Sequence, residues 1–185
     1  MTRKGPIPDS YWVIDGKLLA GEYPGTSDAA KTRTKLEKFL DAGIRTFVDL
    51  TERDEGLTKY DAVLRELSAE RGLEAKHIRH AIRDVSVPRD KALMTTILST
   101  VREEIAAGRP VYVHCWGGTG RTGTVIGCWF VEQGRSGPAA IERIAELRKD
   151  TPDAFKRSPE SGEQRRYVCD WKSEETRRPA GDTRK

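Results

Sequence analysis

Hydrophobic and polar positions along this chain follow two periods in turn, and that alternation sets the predicted elements. Tyr11-Trp12-Val13-Ile14 and Lys17-Leu18-Leu19-Ala20-Gly21 are β-like runs around Asp15-Gly16, which predicts a hairpin. Thr26 or Ser27 can cap a helix that carries Leu36, Phe39 and Leu40 on one face and stops near Gly43. Residues 44–50 predict a largely buried strand. Residues 59–71 predict a second helix, with Val63, Leu64 and Leu67 on its apolar side and Gly72 at its end. Residues 76–82 form the next strand, followed by an irregular stretch over 83–88. Leu93, Ile97, Leu98, Val101 and Ile105 then recur at helical spacing. Gly108-Arg109-Pro110 breaks that helix before a strand at Val111-Tyr112-Val113. A helix-like run over 124–131 comes next, then helices near 138–149 and 162–171. Strands alternating with helices imply an α/β fold, with a central, mostly parallel sheet of about four to five strands flanked by helices.

The apolar segments are evenly spaced, no Pro/Ser-rich linker divides them, and no internal repeat is visible. Residues 1–172 therefore read as a single domain. Residues 173–185 are charged and lack apolar anchors, which predicts a disordered tail. A length of 185 residues is enough for one ordinary core. No apolar run approaches the roughly 20 residues that span a bilayer, and the first eight residues lack the apolar stretch of a secretory signal. Three scattered cysteines do not make a disulfide framework. A reducing, cytoplasmic setting is expected. The net charge of +4 is gathered partly at the two ends. Without a long basic helix or interleaved aromatics it does not point to nucleic acid. No Cys/His grouping has metal-ligand spacing, and His77 and His80 stand at odd spacing on one strand, so neither a metal nor a cofactor is expected.

The chemistry concentrates in His114-Cys115-Trp116-Gly117-Gly118-Thr119-Gly120-Arg121-Thr122-Gly123. Five residues separate Cys115 from Arg121, and three of them are glycine. A strand that turns tightly into a helix aims backbone N–H groups at one point, and the helix dipole adds positive potential there. Gly117, Gly118 and Gly120 permit the unusual backbone angles and the close approach. Arg121 can offer a planar fork to two phosphate oxygens. Such a field typically brings a thiol from about 8.5 down to roughly 3.5–7.5, which predicts a thiolate at Cys115 that attacks phosphorus without a separate base. The Thr122 hydroxyl, near the helix start, can donate to that sulfur.

His-Cys-x5-Arg-Thr resembles the signature of the cysteine-dependent protein tyrosine phosphatase superfamily, in the small dual-specificity branch and its bacterial form. The resemblance is firm over about 78–130 and looser elsewhere. It implies a dual-specificity phosphatase-like fold with Trp116, Gly117, Gly118, Thr119, Gly120 and Arg121 as the phosphate-binding loop. It also implies that His114 supports the loop by hydrogen bonding without accepting the substrate's proton. The superfamily carries an aspartate about thirty residues before its cysteine, and Asp84 occupies that place as general acid. Asp90 is the competitor, but it fits the start of the long helix, where the dipole stabilises a carboxylate. Ser158-Pro159-Glu160-Ser161-Gly162-Glu163-Gln164 resembles a C-terminal segment of related members. Gln164 either orients the hydrolytic water or sits on a solvated helix face behind a Ser161 cap. Thr51-Glu52-Arg53, after a strand end, either lines the pocket or forms a surface turn. Cys128 reads as a small buried residue, and Cys169 as packed beside Trp171.

These residues imply a phosphatase acting on phosphate monoesters. The substrates expected are phosphotyrosine, with phosphoserine and phosphothreonine alongside it, and the route runs through a phosphocysteine intermediate. The partner is a phosphorylated protein or a small phosphorylated molecule, and the oligomeric state is left open. Three alternatives stand beside it. A phosphoinositide or inositol phosphate substrate is disfavoured by Trp116 and Thr119 where that branch places lysines. A non-catalytic phosphate-binding module would lack a positioned acid. Rhodanese-like or arsenate-reducing chemistry usually lacks the Arg-Thr pair.

Overall fold

The computed structural model describes residues 3–172. The expected tail from residue 173 onward lies outside the described residues. Strand β1 (Ser10–Ile14) runs antiparallel to β2 (Leu18–Gly21). Gly16, at φ 66°, turns the chain between them, and the Lys17 N–H donates to the Ile14 carbonyl at 3.0 Å. Only a residue without a Cβ takes that angle freely, so Asp15-Gly16 makes the hairpin where the sequence placed it.

Helix α1 (Ala29–Asp41), β3 (Thr46–Asp49), α2 (Asp61–Glu70) and β4 (Lys76–Arg79) follow. Then come α3 (Lys91–Ala106), β5 (Val111–His114), α4 (Gly120–Glu132), α5 (Gly137–Arg148) and α6 (Gly162–Asp170). The five strands lie in the order β1-β2-β5-β3-β4. β2, β5, β3 and β4 are mutually parallel, and only β1 opposes its neighbour.

The strand period of two sorts side chains between two cores. Leu19, Phe47 and Tyr112 face one way and meet Leu36 and Phe39 of α1 and Leu64 of α2. Leu18, Val48, Val111 and Val113 face the other way, toward Ile97 of α3, Ile126 of α4 and Ile144 of α5. Each such side chain contributes about 1.5–3 kcal/mol on full burial. Helix α4 is buried from Gly120 to Val131, all around its circumference. It is therefore the central helix of its layer, and its start is held firmly.

Several expected boundaries move for local reasons. The cap of α1 is Asp28, not Thr26 or Ser27. Its carboxylate accepts from the N–H groups of Ala30 at 2.9 Å and Lys31 at 3.2 Å, while the Thr26 hydroxyl donates to the Asp28 carbonyl at 2.7 Å. The strands expected over 44–50 and 76–82 are shorter as ladders, although the Ile82 N–H still reaches the Leu50 carbonyl at 3.0 Å. Cys169 is exposed instead of packed on Trp171. Tyr167 stacks on that indole, with ring centroids 5.8 Å apart. No helix among the described residues is long and apolar enough to cross a membrane.

Because four strands are parallel, their carboxyl ends share one edge of the sheet. The loops that leave β3, β4 and β5 open onto that edge, where sheets of this type place ligands.

Candidate active site

Cys115 follows β5 directly and is buried at the floor of a cleft of about 310 Å³. The cleft is also lined by Asp84, Trp116, Arg121, Lys156 and Gln164. Residues 115–119 form the turn into α4, whose first residue is Gly120. A Cβ on Gly118, itself at φ 69°, would lie 2.4 Å from the backbone carbon of Gly21. Gly120 lies against the side chains of Gln164 and Glu160, with 3.0 Å between an added Cβ and the nearer Gln164 atom. These two glycines let the loop nest against β2 and the C-terminal segment.

Arg121 is almost fully buried, and it is held from three sides. Its Nη1 donates to Glu55 Oε1 and to the Ile82 carbonyl at 3.0 Å. Its Nη2 donates to Glu55 Oε2 at 2.9 Å and lies 2.9 Å from Asp84 Oδ1. Burial alone would lower its pKa, but the Glu55 hydrogen bond and the neighbouring charges raise it on balance, so the guanidinium keeps its charge. Glu55 thus fills the Nη1/Nη2 fork as a bidentate carboxylate, and Nη2 also meets Asp84, which lines the cleft.

His114 lies beneath the loop and is fully buried. Its Nδ1 sits 3.2 Å from the Cys115 carbonyl and its Nε2 2.7 Å from the Tyr60 hydroxyl. A carbonyl only accepts, so Nδ1 carries the proton. Burial lowers the His114 pKa to about 4 against the pull of the Asp49 charge, which leaves the ring neutral with Nε2 as acceptor. Tyr60, whose pKa burial raises well above 10, remains a donor. The chain of bonds thus runs from Tyr60 through His114 to the backbone of Cys115. Behind it, burial opposes ionisation of Asp49, but bonds from His77 and Thr51 outweigh it and keep the carboxyl well below its usual range.

Asp84 sits in a turn after β4 and faces the cleft half-exposed. The next residue, Val85, is the one non-glycine among the described residues with positive φ, at 57°. Asp90 caps α3 through the Leu93 N–H at 2.7 Å, the role the sequence assigned to it. Gln164 does form the capping box with Ser161, but it is not on a solvated face. It is buried: its Oε1 accepts from the Ser161 N–H at 3.0 Å and its Nε2 donates to the Ser86 carbonyl at 3.0 Å. Gln164 therefore ties α6 to the turn that carries Asp84. The Thr122 hydroxyl is buried with no hydrogen-bond partner, so the bond expected to the Cys115 sulfur is not made here. Thr119 is the N-cap of α4, and its hydroxyl donates to the Gly117 carbonyl at 3.1 Å.

Sequence reasoning missed Glu55 and Tyr60. In the β3–α2 loop the sequence singles out Thr51-Glu52-Arg53, yet Thr51 turns back onto Asp49 and it is Glu55 that reaches Arg121. The available signal was topological: a loop leaving the carboxyl end of a strand beside β5 opens on the same edge. Which of its carboxylates points inward carried no sequence signal. Among the described residues no three His, Cys, Asp or Glu side chains are grouped to hold a metal ion.

The cleft thus brings together a buried cysteine at the end of β5, a buried arginine in the first turn of α4 and an aspartate from the loop after β4. Residues 20–135 match the family described as "Polymorphic toxin system, DSP-PTPase phosphatase". The chain belongs to that family. It is 30% identical over 125 residues to "Putative tyrosine phosphatase 067L" of Invertebrate iridescent virus 3, covering 65% of this chain and 45% of that protein. The chain thus spans less than half the length of that relative. The active form of Tk-PTP is similar at 25% identity and TM-score 0.62, over 87% of this chain and 94% of its own. Kinase associated phosphatase shares the fold at 21% identity and TM-score 0.64, over 82% and 83%. PTPMT1, in a complex with PI(5)P, shares it at 19% identity and TM-score 0.63, over 87% and 93%.

Proposed function

We propose that the chain hydrolyses phosphate monoesters, phosphotyrosine together with phosphoserine and phosphothreonine, through a phosphocysteine intermediate. The Cys115 sulfur attacks phosphorus and forms the S–P bond as the P–O bond to the leaving group breaks. Asp84 gives its proton to the departing oxygen. A water oxygen then attacks phosphorus and loses its proton to Asp84, and the S–P bond breaks. Phosphate leaves and the cysteine is restored. Arg121 and the N–H groups at the start of α4 hold the equatorial oxygens throughout. The Thr122 hydroxyl makes no bond to the sulfur at rest; in this reading it turns toward the sulfur as the S–P bond breaks. Gln164 holds the Asp84 turn and orients the water. His114 holds the Cys115 carbonyl and moves no proton of the substrate.

The single observation that carries this reading is the meeting of Asp84, Arg121 and Cys115 in one cleft, with Asp84 Oδ1 2.9 Å from Arg121 Nη2. A phosphate-binding module would have no use for an aspartate there. A reducing compartment suits the reading, because Cys115 must remain a thiol. The test is rapid-quench kinetics with p-nitrophenyl phosphate. A burst of nitrophenol matching the enzyme concentration, and no turnover by Cys115→Ser, are expected. Full activity in Cys115→Ser would end the proposal.

A phosphoinositide or inositol phosphate substrate is the second reading, favoured by the shared fold with PTPMT1, which is in complex with PI(5)P.

A further inference from the structure

Three large hydrophobic side chains stand exposed among the described residues: Val85 at 57%, Trp116 at 60% and Phe155 at 79%. They come from three separate segments of the chain. Val85 and Trp116 line the cleft above Cys115. Phe155 lies outside that lining, with its ring centroid 5.7 Å from the ammonium of Lys156, which does line it. Two large apolar side chains left in water at the mouth of one cleft, with a third beside its rim lysine, mark a binding surface.

The backbone supports the same reading. Val85 is β-branched and holds φ at 57°. A β-branched residue in the left-handed region is strained, and such strain persists where the surroundings enforce it, commonly at ligand clamps. The turn is enforced: Gln164 Nε2 donates to the Ser86 carbonyl at 3.0 Å. The segment carrying Phe155 is pinned as well. Buried Arg148 donates to the carbonyls of Asp153 at 3.1 Å and Lys156 at 2.8 Å. Two of the three apolar side chains thus rise from anchored backbone, and the third, Trp116, rises from the phosphate-binding loop.

Charge decides what this mouth admits. The cleft's ionisable side chains, apart from the thiol, are Arg121 and Lys156 against Asp84 and Glu160. Glu55 adds a further negative charge behind Arg121, and Lys156 is already paired with Asp153 at 2.7 Å. One phosphoryl group is met by Arg121 and the loop amides. A second or third phosphate on the same molecule would meet carboxylates and apolar side chains instead.

We propose that Trp116 and Val85, with Phe155 at the outer edge, determine specificity. They form an apolar mouth that takes the flat ring of an aryl phosphate, the phosphotyrosine side chain of a peptide, and rejects polyphosphorylated ligands. This rests on the phosphatase reading above and narrows it. The ring lies against Trp116 and Val85 while its phosphate sits over Cys115. A serine phosphate at the same depth leaves both side chains uncovered.

The experiment compares kcat/KM for three substrates: a phosphotyrosine peptide, the phosphoserine peptide of the same sequence, and inositol hexakisphosphate. Wild type, Trp116→Ala, Trp116→Phe, Val85→Gly and Phe155→Ala are assayed side by side. Wild type is expected to favour phosphotyrosine over phosphoserine, with inositol hexakisphosphate last. Trp116→Ala should cut the phosphotyrosine-to-phosphoserine ratio by about tenfold, chiefly through KM, and Trp116→Phe should restore most of it. Phe155→Ala and Val85→Gly should lower the same ratio by a smaller factor. An unchanged ratio in Trp116→Ala overturns the apolar mouth while leaving phosphatase activity in place. Turnover of inositol hexakisphosphate at or above that of the phosphotyrosine peptide overturns it as well. A wild type inactive on all three substrates overturns the phosphatase reading and the mouth together.

Discussion

The Asp84 carboxylate and the Arg121 guanidinium meet at 2.9 Å, across the cleft that contains Cys115. This contact ties the proposed acid to the proposed phosphate fork. Glu55 occupies Nη1 and Nη2 together, while Asp84 meets only the cleft side of Nη2. Asp84 is half-exposed and Arg121 nearly fully buried, so in the proposed mechanism a phosphoryl group reaching that side of Arg121 displaces the Asp84 carboxylate and not the guanidinium. The mechanism proposed above then requires the freed carboxyl to stand at the edge of the bound phosphate, beside the leaving oxygen. Asp84→Asn is expected to lower kcat by roughly 10²–10⁴ with p-nitrophenyl phosphate or a phosphotyrosine peptide. The loss should be greater for the poorer leaving group, which depends more on protonation. Equal, small losses for leaving groups of different pKa would separate Asp84 from the proton transfer.

Glu55 holds both terminal nitrogens of Arg121 and is itself only slightly exposed. Removing one partner of such a pair leaves a buried charge less well compensated. Glu55→Ala is expected to destabilise the fold by roughly 3 kcal/mol, read as a lower urea midpoint at unchanged slope. The Glu22–Lys35 pair at 2.5 Å is a control, since both side chains are partly exposed. Glu22→Ala should shift stability by no more than about 1 kcal/mol. Equal shifts in the two variants would mean that the burial of Arg121 adds nothing.

The parts of the site that were legible in the sequence are those packed into a contiguous stretch. Residues 114–123 carry thiol, glycines, guanidinium and helix start together, and the strand and helix periods on either side fix their context. The sheet was legible because short apolar runs such as Val111-Tyr112-Val113 stand between turn residues and segments of helical spacing. Glu55 and Tyr60 were not legible, because their partners lie 66 and 54 residues away along the chain. Among Glu52, Asp54 and Glu55, local patterning does not say which carboxylate turns inward. Gln164 was half legible: the capping box could be read from Ser161 and Gln164, but the burial of that amide depends on α6 packing against α4. The positive φ of Val85 had no sequence signal at all, since that backbone region favours glycine or asparagine and the position holds a β-branched residue.

The buried neutral state of His114 makes stability depend on pH. Its folded pKa is about 4, below the ordinary 6.5, because burial disfavours the charged ring. Between those values the unfolded chain binds a proton that the folded chain does not, so stability falls as pH drops from about 6.5 toward 4. It is fully present above 6.5. His80 shifts in the same direction through burial and adds to the slope. The His114 contribution is on the order of 3 kcal/mol across the window. Urea melts at pH 7.5, 6.0 and 5.0 should show falling midpoints, with a shallower fall in His114→Asn. A wild-type midpoint that stays level across this range would contradict a neutral buried ring.

Gly118 tests how tightly the loop is fitted to the sheet. Its φ of 69° disfavours any side chain, and a Cβ would lie 2.4 Å from the Gly21 backbone carbon and 2.6 Å from its oxygen. Those atoms belong to the end of β2, which pairs with β5 along its length, so they cannot swing aside as a side-chain tip can. The Trp116 carbonyl accepts from the Tyr23 N–H at 2.8 Å, which anchors the same loop to the chain just past β2. Gly118→Ala must therefore either strain this contact or lift the loop away from the strand. The left-handed angle alone costs of order 1–3 kcal/mol, and the contact adds to it. The expected outcome is a stability loss of at least about 2 kcal/mol, with weaker vanadate binding, since both depend on one loop geometry. Gly134, with φ 88° and open space around its missing side chain, isolates the angle from the contact. Gly134→Ala should lose stability through the angle alone and leave vanadate affinity unchanged. Equal losses in the two variants, with vanadate affinity intact in both, would show that the Gly21 contact does not constrain the loop.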